Sequence, residues 1–116
     1  MKEIKIIIFV QISSSAAVST DDGGLLFERI VKVLENDARV ILDFHNIELI
    51  TSTFLNAAIG QLYSKYDSPL LRKHLKVKNL ANEDLNLLKK VVDRAKDYFK
   101  DKERMEKNIS KVLGDE

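Results

Sequence analysis

The stretch from Arg39 to Gly60, RVILDFHNIELITSTFLNAAIG, decides how the rest of the chain is read. Val40, Ile41, Leu42 and Phe44 leave almost no polar face, the pattern of a central strand covered on both sides, and Asp43 interrupts it near the strand's end. After a turn at His45-Asn46 come Ile47 to Ile50, then Thr51-Ser52-Thr53, a cluster of hydroxyls where a helix should begin. Leu55, Ala58, Ile59, Leu62 and Tyr63 recur at helical spacing and define one apolar face. Thr51 is the expected N-cap, with Ile50 and Leu55 placed to clamp the chain's entry as a hydrophobic staple. Gly60, inside that helix, is expected to allow close packing against the sheet. The helix should run to about Tyr66, where Asp67-Ser68-Pro69 stops it because proline cannot continue the hydrogen-bond ladder.

Upstream, MKEIKIIIFVQI alternates Ile4, Ile6, Ile8 and Val10 on one face with Lys5, Ile7 and Phe9 on the other, which predicts a strand from Met1 to Ile12. Ser13 to Asp22 is small and polar and reads as a connection. Asp21 and Asp22 stand where acidic side chains favour the positive end of a helix, and Leu26, Phe27, Ile30, Val31, Val33 and Leu34 give that helix its apolar side. Downstream, Leu75 and Val77 alternate with Lys76 and Lys78 as in a strand with one wet face, nearer a sheet edge than the Val40 strand. Asn82 is a candidate cap for a long helix with a stripe of Leu85, Leu88, Val92, Ala95 and Phe99. Met105, Ile109, Val112 and Leu113 keep helical spacing beyond it, and docking of this tail on the domain is the expected outcome.

Strand and helix alternate three times, which implies crossover connections and a layered α/β fold. The expected sheet is mixed, of about four strands, with helices packed on it and a C-terminal helix added. Residues 1–99 form the domain and 100–116 the helical extension.

Composition sets the outer limits. The 116 residues suit one core, and 45% hydrophobic with 32% charged is an ordinary globular balance. A net charge of +1 offers no general polyanion-binding surface, so nucleic acid is not expected as a partner. The absence of cysteine removes disulfides and thiolate chemistry, and His45 and His74 alone call for no metal. The apolar run around Ile6 to Val10 is far short of the ~20 residues of a membrane span, and Glu3 before it argues against a signal peptide, so a cytoplasmic location is expected.

Evidence for catalysis is thin. The histidines belong to no recognisable constellation, and Gly23-Gly24 is a lone pair rather than a phosphate-binding loop. Asp43 at a strand end, with Lys78 downstream, invites comparison with a phosphate-accepting aspartate; however, Gln11-Ile12-Ser13 stands where a metal-holding acidic pair is needed. No cofactor, metal or catalytic residue is assigned.

The hydroxyl-rich helix start, the strand before it and the later stretch LKVKNLANEDLNLLKKVVDRAKDYF resemble the STAS domain of anti-sigma-factor antagonists and sulfate transporters, and more closely the uncharacterised STAS-like group. The resemblance runs from about Gly24 to Phe99. Family members usually begin with two strands, for which the space between Ile12 and Asp22 is short. In the antagonists an Asp-Ser-Ser-Gly-type motif opens the helix; here Thr51 falls on the Asp, Ser52 on the phosphorylated Ser, Thr53 on the next hydroxyl and Phe54 on the Gly. The resemblance implies a non-catalytic regulatory module that binds a protein, an ATPase-type serine kinase or anti-sigma factor, with Ser52 and then Thr53 as phosphorylation candidates. Its expected contact surface comprises Asp21, Asp22, Asp43, Thr51, Ser52 and Phe54. From the residues alone, Thr51 to Thr53 are simply caps, and Asp21, Asp22 and Asp43 serve helix-start and strand-end solvation. The alternative from another class is a small-ligand-binding or weakly catalytic domain with a pocket near Asp43 and His45. Self-association through the C-terminal helix is a third option.

Overall fold

In the computed structural model, which describes the backbone of residues 1–113 and the side chains of residues 1–100, the Val40 strand is the centre of a three-stranded parallel sheet. This strand, β3 (Arg39–Asp43), lies between β1 (Glu3–Ile7) and β5 (Leu75–Lys78). The register aligns Ile4, Val40 and Leu75 in one row and Ile6, Leu42 and Val77 in another, all on one face. Against that face pack α2 (Thr20–Glu35), through Leu26, Ile30 and Val33, and α3 (Ser52–Ala58), through Phe54, Leu55 and Ala58. The long α5 (Asn82–Leu113) adds Leu88 and Val91 to the same core.

The opposite face corrects the expectation of a strand covered on both sides. Glu3, Lys5, Ile7, Lys76 and Lys78 point away from the core and are exposed. Ile41 is half-buried because Lys5 and Lys76 flank it in register, and the methylene stems of lysine can cover an apolar neighbour while the ammonium stays in water. An Arg39–Glu3 ion pair of 3.4 Å closes the row.

The first strand is also shorter than its alternation predicts. Its last sheet partner is Asp43, opposite Ile7; with no ladder beyond, residues Ile8–Ile12 turn into the short helix α1, which ends at Ser13 in the left-handed conformation (φ 56°). The polar connection contains a two-residue strand, β2 (Ala16–Ala17), parallel to β4 (Leu49–Ile50). The layered α/β architecture thus holds with two parallel sheets, of three and two strands, and no antiparallel pair among the described residues.

Two breaks lie elsewhere than expected. The Thr51 helix stops at Ala58 and tightens into a 3₁₀ turn over Gly60–Ser64, short of Tyr66. Asp67 and Pro69 then begin a helix as well as ending one: Asp67 Oδ1 accepts from Leu70 N (3.0 Å) and caps α4 (Ser68–His74), whose first turn holds the proline. On α5 the buried stripe is Leu88, Val91 and Ala95, while Leu85 is exposed and Asn82 is the first helical residue. The tail residues Met105, Ile109, Val112 and Leu113 fall where only the backbone is described, so their docking lies outside the described side chains.

Candidate functional site

The small sheet exists to start two helices side by side. Ala17 pairs with Ile50, and the next residues of both strands become caps within one step of each other. Ser19 Oγ accepts from Asp22 N (3.0 Å) at the head of α2, and Thr51 Oγ1 accepts from Phe54 N (3.2 Å) at the head of α3. Between them, Thr51 N donates to Ala17 O (3.1 Å) and Thr51 Oγ1 donates to Val18 O (2.9 Å), so the Thr51 hydroxyl fixes one helix start to the other.

Glycine makes the pairing close. A Cβ on Gly23 would stand 2.6 Å from Phe54 O and 2.7 Å from Ala57 Cβ, a distance that only hydrogen at that position allows. The close approach expected at Gly60 therefore occurs at Gly23, between α2 and α3. A Cβ on Gly60 would meet Asn56 Oδ1 at 3.3 Å and, on the α5 side, Ala95 Cβ at 3.7 Å, with no sheet atom nearest.

This geometry gathers Asp21, Asp22, Thr51, Ser52 and Thr53 at one tip of the molecule. Ser52, Thr53 and Asp21 are exposed and Asp22 is half-exposed. Thr51, with its hydroxyl giving one hydrogen bond and receiving another, is a positioning residue rather than an open acceptor. Phe54 is fully buried in the core, which corrects its assignment to a contact surface: its ring is a structural anchor and leaves Ser52 in water.

Asp43 needs a second correction. It is buried to 4% exposure at the end of β3, and its oxygens are already occupied. Oδ1 accepts from Asn79 Nδ2 (2.7 Å) and His45 N (2.9 Å), while Oδ2 faces Lys5 Nζ at 3.3 Å. The Asn79 hydrogen bond, aided by the His45 N–H and Lys5 and opposed by burial, lowers its pKa from 3.8 to about 2. Asn79 follows β5 at φ 61°, a left-handed turn that asparagine tolerates and that presents its amide to the carboxylate. Asp43 is thus a tie joining β1, β3 and the turn after β5, with both oxygens engaged within the fold.

The partners Lys5 and Asn79 were not singled out in the sequence. Lys5 lies on β1 and Asn79 just past the end of β5, both remote from Asp43 in the chain, and only the sheet register sets them beside it. The neighbours of His45 and His74 are equally plain: His45 is an exposed turn residue, and His74 Nδ1 lies 3.0 Å from Leu70 O at the end of α4. Among the described residues no group of three His, Asp or Glu could hold a metal ion, and no helix is long and apolar enough to cross a membrane.

Neither of two clefts lined by described residues includes Asp43 or Ser52. One, of about 380 Å³, lies between α4, β5 and α5, with an apolar floor including Leu71, Val77 and Val92 and a rim of Arg72, Lys76 and Lys96. The other, of about 490 Å³, is lined by residues of the 3₁₀ turn and α5, among them Gln61, Arg94 and Tyr98.

No curated protein and no solved structure matches this chain. A family model does, over residues 22–85, covering α2, β3, the Ser52 helix, α4, β5 and the first turn of α5. That match spans more than half of the 116 residues, and the chain belongs to the family described as STAS-like domain of unknown function (DUF4325).

Proposed function

We propose that this protein is a non-catalytic regulatory interaction module whose protein partner covers the tip formed by the starts of α2 and α3, and that phosphorylation of Ser52 switches the contact. The observation that carries the reading is the contrast between adjacent hydroxyls: Thr51 is spent on holding two helices together, while Ser52 is open to water. Membership in a STAS-like family supports an interaction role at the level of the family.

The physics of the switch is local. A kinase partner of the ATPase type would transfer the γ-phosphoryl group of ATP to Ser52 Oγ, releasing ADP and the hydroxyl proton. The product adds about −1.5 to −2 charges beside Asp21 and Asp22, turning a mildly acidic tip into a strongly anionic one. A partner that fits the neutral hydroxyl then meets repulsion and a desolvation cost, and no large movement of the domain is needed. Thr53, one residue on and also exposed, is the secondary acceptor.

Affinity capture from the native host, with wild type and Ser52→Glu side by side, tests this directly. One partner recovered by wild type alone, together with a phosphate adduct in intact-mass spectra that Ser52→Ala abolishes, is the expected result. Identical capture by both proteins, with no adduct after incubation with the recovered kinase, overturns the reading. The second reading, a ligand pocket around Asp43, has no observation in its favour, because the carboxylate's bonds are taken up within the fold.

A further inference from the structure

The three-stranded sheet ends at β5, and among the described residues no strand pairs with its outer side. Lys78 gives its carbonyl to Phe44 N at the end of β3 (3.0 Å). Backbone groups of successive strand residues point to alternate sides, so those of Val77 face outward, away from β3. The Leu75 N–H is taken by Leu71 O at the end of α4, which leaves the Leu75 C=O and both Val77 groups, among the described residues, as the open edge.

Side-chain chemistry on the two sides of that edge differs sharply. Val77 leans into the 380 Å³ cleft, whose floor also includes Leu71, Leu88 and Val92. Lys76 and Lys78 leave the strand on the opposite, open face of the sheet, both exposed, and Lys76 also reaches the rim of the cleft. Lys76 Nζ donates to Arg72 O (2.9 Å), which brings it to the basic end of α4, where Arg72, Lys73 and His74 follow one another. Although the chain's total charge is only +1, positive charge is concentrated here.

We infer that the β5 edge is a docking site for an extended acidic-apolar peptide of a partner protein, which adds as a fourth strand beside β5. Its backbone pairs with Leu75 and Val77. Its apolar side chains, one in two, enter the cleft beside Val77, and the intervening Asp or Glu residues lie across from Lys76 and Lys78, where opposite charges in cross-strand positions attract. Periodicity matches periodicity: the alternation of β5 itself selects an acid–apolar–acid pattern and rejects a basic one. The cleft is lined by Ile59, at the far end of α3 from Ser52, so this surface is separate from the phosphorylatable tip and does not depend on it.

The test uses the full chain and a fluorescein-labelled peptide, Gly-Glu-Val-Glu-Val-Glu-Gly, blocked at both ends. Two control peptides carry Lys for each Glu, or N-methyl groups on every Glu and Val, which cannot donate to a ladder in either strand direction. Anisotropy should show saturable binding of the Glu peptide below about 1 mM, with roughly tenfold or greater loss for each control. Backbone NMR should show the Val77 amide shifting and becoming protected from exchange. The double variant Lys76→Glu, Lys78→Glu should reverse the preference toward the Lys peptide; because the controls alter the peptide alone, the test survives even if that variant folds poorly. Absence of binding to wild type at that concentration overturns the proposal. Equal binding of the N-methylated peptide reduces it to nonspecific charge attraction. Protection of Val77 that grows with protein concentration, without peptide, gives the edge to a second copy instead.

Discussion

The Asp43 end of the large sheet and the Ser52 end of the small one are built from similar materials and have opposite characters. Each is a polar side chain where a parallel strand runs out, followed closely by a turn or a helix. Asp43 is met by Asn79, His45 and Lys5 and is shut away, its charge held by the fold. Ser52 sits next to a residue, Thr51, that has taken up the structural bonds, and so remains open. A polar residue at a strand end is thus structural when remote strands supply its partners, and available when a neighbour already does the holding.

Disturbing either end should show this. The largest effect is expected from Gly23→Ala, since its methyl group would overlap Phe54 O and Ala57 Cβ. A loss of about 2–3 kcal/mol in urea denaturation is expected, exceeding the gain of about 1 kcal/mol that alanine brings to a helix. NMR of this variant should show changes around Thr51 to Thr53 with the Asn79 side-chain amide little moved; stability equal to wild type would mean that the helices do not rely on this contact.

Asp43→Ala comes next, at about 2 kcal/mol, because it removes the buried carboxylate that holds the Asn79 amide and the His45 N–H and leaves Lys5 unpaired. The same tie predicts a pH dependence. The pKa of Asp43 is lowered in the folded state, so its contribution is fully present above the unfolded pKa near 3.8 and is lost as pH falls toward about 2. Urea midpoints measured across that interval should fall less steeply in Asp43→Asn than in wild type; parallel curves would assign the acid sensitivity to other carboxylates.

Thr51→Ala should cost about 1–2 kcal/mol through the lost cap and the lost bond to Val18, and Thr51→Ser should restore most of it. Ser52→Ala, the smallest, should stay within about 0.5 kcal/mol of wild type in the same assay. A larger loss there would mark Ser52 as structural and erase the contrast between the two ends.

Much of the architecture was legible because it rests on local periodicity. Val40 and Leu42 announced the central strand, Thr51 its following helix cap, and Leu75 to Lys78 an edge strand, and each is found in that role. Reading failed where the decisive partner was distant. Ile8 to Ile12 alternate like a strand, yet no neighbour extends beyond Asp43 to pair with them. Ala16 and Ala17 have no strand signal, yet the backbone at Leu49 and Ile50 recruits them. Ile41 read as doubly buried because lysine flanks on other strands cannot be seen from its own segment.

The residues alone therefore determined the α/β class, the STAS-like kinship, the cap at Thr51 and the hydroxyl that follows it, since caps and amphipathic stripes depend on neighbours within a few positions. Tertiary structure decided which polar groups are free. It buried Asp43 under Lys5 and Asn79, turned Phe54 inward, joined two helix starts through Gly23 and, among the described residues, gave the outer edge of β5 no strand partner. Those outcomes depend on sheet register and close packing between segments far apart in the chain, where a single methyl group or a shift of one residue changes which atoms meet.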